Sequence, residues 1–176
     1  MKANNSLHGG PHDLRTQRSC YLSAGLAAPV SNAISAFKGL TTDEQLGLLW
    51  VLYDNMGRSI TPAAPGAARL QFAEGLLAQV KGLSHTDQLQ FMRDLVNCTS
   101  TPLTRAYGVL SNNTKLAFWF QLAEEMRTGT VVPVPVTYRL GSAGQAVFGQ
   151  ISKLDFNQQI TIMRQAVITM GIDPLA

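Results

Sequence analysis

The chain holds three histidines and two cysteines, and their spacing decides whether metal or nucleophilic chemistry is open to it. His8 and His12 stand four apart, the separation at which two imidazoles share one face of a helix and can ligate one metal. Gly9, Gly10 and Pro11 lie between them and break such a helix, so no metal site is expected there. His85 falls in the first turn of a predicted helix and reads as a solvated side chain. Cys20 and Cys98 lack the spacing of a zinc site. No G-x-S-x-G, H-E-x-x-H, P-loop or G-x-G-x-x-G run occurs. Gly141-Ser142-Ala143-Gly144 opens a predicted helix and has the makings of an anion cradle, although such runs are common in loops. These residues assemble no catalytic group, and a non-enzymatic protein is expected.

Large apolar side chains carry more information. Leu46, Leu49, Trp50, Tyr53 and Met56 recur at helical spacing and form one stripe, while Leu48, Val51 and Leu52 make the same helix apolar nearly all round. Such a helix buries against more than one neighbour. Leu116, Trp119, Phe120 and Ala123 form a second stripe, continued by Met126 or Arg127. Both tryptophans of the chain lie in these stripes. Periodicity alone fits an ordinary core or a long apolar tunnel for a flat, elongated ligand; large rings, Met92 and the small Ala123 suit the tunnel.

The elements that position these stripes announce themselves by a repeated start. Leu40, Leu83 and Leu154 are each followed five residues later by Gln45, Gln88 and Gln159, with a looser copy at Leu110 and Lys115. The residue after each leucine is Thr41, Ser84, Asp155 or Ser111, whose side-chain oxygen can cap the following helix. Glu44, Asp87 and Gln158 complete full or near capping boxes. Unequal spacing between copies points to a few related helices packed pseudo-symmetrically rather than a solenoid. The predicted helices cover 30–38, 42–56, 65–81, 84–97, 101–109, 112–127, 142–152 and 156–170. Val131 to Tyr138 alternates β-branched residues with Pro133 and Pro135 and is expected to be an extended strap, not a sheet strand. The fold class is all-α. Residues 1–20 are polar and aperiodic, so a flexible extension is expected there, followed by one helical domain over 21–176.

Composition agrees. Of 176 residues, 45% are hydrophobic, enough for a real core, and only 14% are charged. The net charge of +3 is spread without a basic run, which argues against a nucleic-acid partner. No apolar stretch reaches the ~18–20 residues of a membrane span, and no secretory h-region follows the first residues. A cytoplasmic protein with reduced thiols is expected.

Several ordered segments resemble a known family: DEQLGLLWVLYDNMG (43–57), ITPAAPGAARLQFAEGLL (60–77), CTSTPLTRAY (98–107), NTKLAFWFQLAEEM (113–126), VPVPVTYRL (132–140) and QQITIMRQAVITMGID (158–173). Together they are similar to the helical carotenoid proteins, stand-alone relatives of the N-terminal domain of the cyanobacterial orange carotenoid protein. The resemblance implies two intercalated four-helix bundles around one noncovalent keto-carotenoid of the canthaxanthin, echinenone or 3'-hydroxyechinenone type, with chloride as a further candidate ligand. Carried over by motif, Trp50, Tyr53, Trp119 and Phe120 would flank the polyene and its ring. Leu46, Leu49, Met92, Leu116, Ala123, Val134 and Tyr138 would line the channel. The implied role is photoprotection by quenching singlet oxygen; its alternatives are constitutive quenching at the phycobilisome and exchange of pigment with a homologue of the family's C-terminal domain.

Arg164 and Asn113 align with residues that serve docking and domain contact in the family, which implies a place peripheral to the thylakoid or phycobilisome. Phe120 stands where several relatives have Tyr, Leu110 replaces an aromatic, and the first twenty residues do not match the family's N-terminal arm. The chain ends at Ala176, so the expectation is a pigment without the second domain's light switch, held in a red environment.

Overall fold

Four helix starts form the bonds that their sequence requires. The computed structural model describes residues 25–56 and 70–173, so readings that fall on His8, His12, Cys20 and 65–69 lie outside the described residues. The Ser84 hydroxyl accepts from the Asp87 amide and Ser111 from that of Thr114, each at 3.2 Å. Asp155 and Gln158 close a reciprocal capping box at 2.9 and 3.2 Å, and Thr41 and Glu44 close another at 3.4 and 3.1 Å. The glutamine of the repeat has a common task. Gln45, Gln88 and Gln159 donate their side-chain amides back to the carbonyls of Leu40, Leu83 and Leu154, five residues earlier. Gln145 does the same to Leu140, a fourth copy hidden from the sequence pattern because Gly141 supplies no capping side chain. Each fastening satisfies a carbonyl just outside its helix.

The helices are α1 (Ala28–Lys38), α2 (Thr42–Met56), α3 (Leu70–Lys81), α4 (His85–Asn97), α5 (Pro102–Gly108), α6 (Asn112–Thr128), α7 (Ser142–Ile151) and α8 (Phe156–Ile168). α1 starts two residues earlier than expected because Pro29 fits the first turn, where no amide donor is required. No strand occurs among the described residues. The 131–138 segment is extended, as its prolines dictate, and turns at the Tyr138 amide to Pro135 carbonyl bond of 2.8 Å.

Packing divides the helices into two groups. α1 lies against α7 and α8, and α2 against α7, so the two ends of the chain form one bundle. α3 packs on α4, α5 and α6, so the middle forms the other. Contacts of α6 with α8, and of α2 with α4 and α6, interlock the two groups. Phe118, Leu122, Leu48, Leu52, Leu95 and Ile162 fill the core and are fully buried. Among the described residues, no helix is long and apolar enough to cross a membrane.

Candidate functional site

The inward stripes of α2 and α6 touch at Tyr53 and Phe120 but do not close on each other along their length. Between them, α4, α8 and the strap lies a cavity of about 370 Å³, within the ~300–1,000 Å³ range of ligand pockets. Every residue assigned above to the channel lines it: Leu46, Leu49, Trp50 and Tyr53 from α2, Met92 from α4, Leu116, Trp119, Phe120 and Ala123 from α6, and Val134 and Tyr138 from the strap. The lining spans Asp43 to Tyr53 and Leu116 to Met126, so the slot runs about 15 Å along both helices at the helical rise. Leu89, Met126, Val132, Pro133 and Pro135 also line it. So do Met163 and Val167, an i, i+4 pair on α8 that would have been legible as a third stripe.

Ring geometry fixes the walls. Tyr53 lies 6.1 Å from Trp50 and makes an edge contact with Phe120 at 5.5 Å. The Trp119 indole donates to the Tyr107 hydroxyl at 2.9 Å, which in turn donates to the Val167 carbonyl at 2.8 Å. Burial pushes the Tyr107 hydroxyl's pKa up and keeps its proton in place. Lys115, 6% exposed, donates to the Ile168 carbonyl and sets its ammonium 5.1 Å above the Tyr107 ring. In the repeat, this lysine occupies the position of the fastening glutamine and reaches another helix instead.

One rim of the slot is charged but neutralised within itself. Arg93 donates to both carboxylate oxygens of Asp43 at 2.8 and 2.9 Å, joining α4 to α2. That hydrogen bonding holds the Asp43 carboxyl below its usual range. The pair's contribution is therefore present above the ordinary carboxylate pKa and fades as pH falls through the lowered one. Both partners are solvent-exposed enough for that contribution to be small.

The strap is secured at both ends. Gln88, 1% exposed, accepts from the Val132 amide at 2.7 Å and donates to the Thr130 carbonyl at 3.4 Å. At the other end, the Tyr138 hydroxyl comes so near Gly47 that a Cβ there would lie 1.8 Å from it. Only glycine leaves that room. Burial raises the Tyr138 pKa, and the Glu44 and Asp43 carboxylates add to the shift. Gln88→Leu strands the Val132 amide and two carbonyls; a loss of about 2–3 kcal/mol is expected, read as a thermal midpoint lower by about 5–10 °C. A midpoint unchanged within error would show that the clamp carries no load.

The remaining candidates lie elsewhere. Asn113 at the start of α6 and Arg164 on α8 are exposed and do not line the slot. His85 is exposed. The start of α7 at Gly141 already has a carboxylate beside it, with Glu44 Oε1 only 3.3 Å from where a Gly141 Cβ would stand. Among the described residues, no cluster of His, Cys, Asp and Glu could hold a metal.

Residues 23–173 match the family model of the orange carotenoid protein N-terminal domain. The chain belongs to that family. An orange carotenoid-binding domain-containing protein of Nostoc sp. PCC 7120 is 56% identical over 147 residues, covering 84% of this chain and 86% of the relative. The orange carotenoid-binding protein of Limnospira maxima is 41% identical over 93% of this chain, which spans 51% of that protein. The solved orange carotenoid protein of Anabaena (Nostoc) sp. PCC 7120 binding canthaxanthin superposes with a TM-score of 0.78 at 41% identity, over 90% of this chain and 52% of its own. The red carotenoid protein from the same organism, also binding canthaxanthin, has a TM-score of 0.70 at 41% identity, over 81% of this chain and 97% of its own. This chain thus spans about half the length of the full orange carotenoid proteins and nearly all of the red form. The all-helical class expected from the sequence is that of the family.

Proposed function

We propose that the protein holds one keto-carotenoid noncovalently in the slot and protects against light damage by quenching singlet oxygen, without catalytic turnover. The observation that carries this reading is the lining itself: aromatic and aliphatic side chains from five separate elements face one elongated space, and the charges at its rim satisfy each other. Relatives at 41% identity that bind canthaxanthin support it. When bound, a conjugated polyene takes up the excitation of singlet oxygen and releases it as heat. The chain's part is to grip and to exclude water. Trp50, Tyr53, Trp119 and Phe120 supply flat surfaces for dispersion contacts, and the strap covers the open side. A forty-carbon carotenoid is longer than the slot, so part of it lies beyond the mouth.

Protein purified from a host that makes keto-carotenoids should carry a broad, red-shifted visible band and shorten the lifetime of singlet-oxygen phosphorescence relative to the pigment-free protein. A helical but colourless product, with pigment available, would sink the reading. A coloured protein that leaves the lifetime unchanged would redirect it to the phycobilisome. Exposed Arg164 adjoins Met163 of the slot wall, which favours that second reading. There, Arg164→Glu should remove quenching of phycobilisome fluorescence and leave the colour.

A further inference from the structure

α5 contributes no residue to the slot, yet its Tyr107 joins two of the slot's walls through one oxygen. The hydroxyl accepts from the Trp119 indole on α6 at 2.9 Å and donates to the Val167 carbonyl on α8 at 2.8 Å, and both Trp119 and Val167 line the cavity. The indole nitrogen is the ring's only polar atom. Bonded to a residue outside the lining, it leaves Trp119 with no free donor to set against an apolar ligand.

Tyr107 is itself held in place. It is fully buried, with the Lys115 ammonium 5.1 Å over its ring and Phe118 in edge contact at 5.5 Å. Gly171 also lies so close that an added Cβ would come within 2.7 Å of the Tyr107 ring. A side chain packed in this way does not follow its partner, so the Trp119 indole tied to it keeps one angle to the slot. Dispersion between a flat ring and a rod-shaped ligand falls away within an ångström of misfit, and that angle therefore decides grip.

We propose that Tyr107 is a positioning residue for the pigment: from outside the slot, its hydroxyl fixes the Trp119 indole and ties it to Val167 on the facing element, and so sets how tightly the polyene is held. The inference rests on the carotenoid reading and adds to it a residue that never touches the ligand. Without the hydroxyl, the Trp119 N–H and the Val167 carbonyl lose their partner together. A buried donor in that position turns toward any other acceptor it can reach, and the ring leaves its angle.

The test is a double-mutant cycle on pigment affinity. Pigment-free wild type, Tyr107→Phe, Trp119→Phe and the double variant are titrated with canthaxanthin and followed by the visible band. Tyr107→Phe is expected to weaken binding about tenfold, the scale set by one donor left without a partner. In the Trp119→Phe background, where no indole donor remains to be misplaced, the same substitution should change affinity by less than about twofold. A purely structural role would give the same loss in both backgrounds, and that result overturns the inference, as does wild-type affinity in Tyr107→Phe. A second measurement needs no altered Tyr107. The Trp119 indole proton of the wild type, assigned by its absence from the proton spectrum of Trp119→Phe, should exchange slowly with solvent both before and after loading. Rapid exchange in either state would show that Tyr107 does not hold the ring, and overturns the inference alone. Failure of the wild type to bind canthaxanthin overturns the carotenoid reading beneath it.

Discussion

Gly108→Ala is expected to lower the thermal midpoint by about 6–12 °C, from a cost near 3 kcal/mol at about 2–4 °C per kcal/mol for a chain of this size. Gly108 ends α5 and is buried; a Cβ there would stand 1.7 Å from the Ile172 carbonyl oxygen and 2.3 Å from its carbon. Both are backbone atoms, and they are pinned. The Gly171 amide donates to Leu95 at 2.8 Å and the Ile172 amide to Thr104 at 3.2 Å, so the tail can retreat only by breaking these bonds. Circular dichroism melts of Gly108→Ala and Gly75→Ala separate this clash from generic glycine effects. Gly75 lies in the interior of α3 and an added Cβ would meet nothing within 4 Å, so its alanine should raise stability by up to about 1 kcal/mol. Midpoints of Gly108→Ala and wild type within 2 °C, roughly the effect of one weak contact, would mean that the tail gives way without cost.

The second large effect concerns the pigment. A Trp119→Ala, Tyr53→Ala double variant should emerge colourless from a keto-carotenoid-producing host, with affinity down by more than about 100-fold, because two large stacking surfaces on opposite walls disappear together. Trp119 also holds the Tyr107 hydroxyl. Its truncation therefore threatens the fold, by about 3–5 kcal/mol at worst. Trp119→Phe keeps a ring without the indole donor and should retain colour. A double variant with an intact visible band and wild-type ellipticity would mean that the pigment sits elsewhere.

What the sequence disclosed and what it withheld have separate physical causes. Capping and helical period are local, so the starts at Ser84, Ser111 and Asp155 and the stripes of α2 and α6 were legible within a few residues. Periodicity tells which side chains face inward. It does not tell whether the inward face is filled, and for Leu46, Trp50 and Trp119 that depended on α8 and the strap, far along the chain. The Asp43–Arg93 pair is separated by 50 residues, and the Gln88 clamp on Val132 by 44, so neither had a local signature. Gly47 stands inside α2, where glycine is otherwise unfavourable. Its reason is the Tyr138 hydroxyl, which only the folded chain brings there. The resemblance to the family supplied the tunnel that spacing had left open.

The order of the helices along the chain has a consequence for biosynthesis. α3 to α6 are contiguous and contact one another locally, so this half can collapse while the ribosome is still at work. The other half waits, because α1 packs against α7 and α8, and α2, although it meets α4 and α6 early, finds α7 only later. The slot draws walls from both halves, and its α8 side is the last to be translated. A pigment cannot template the early steps: until α8 has been made the slot lacks a wall, and loading belongs to a later stage.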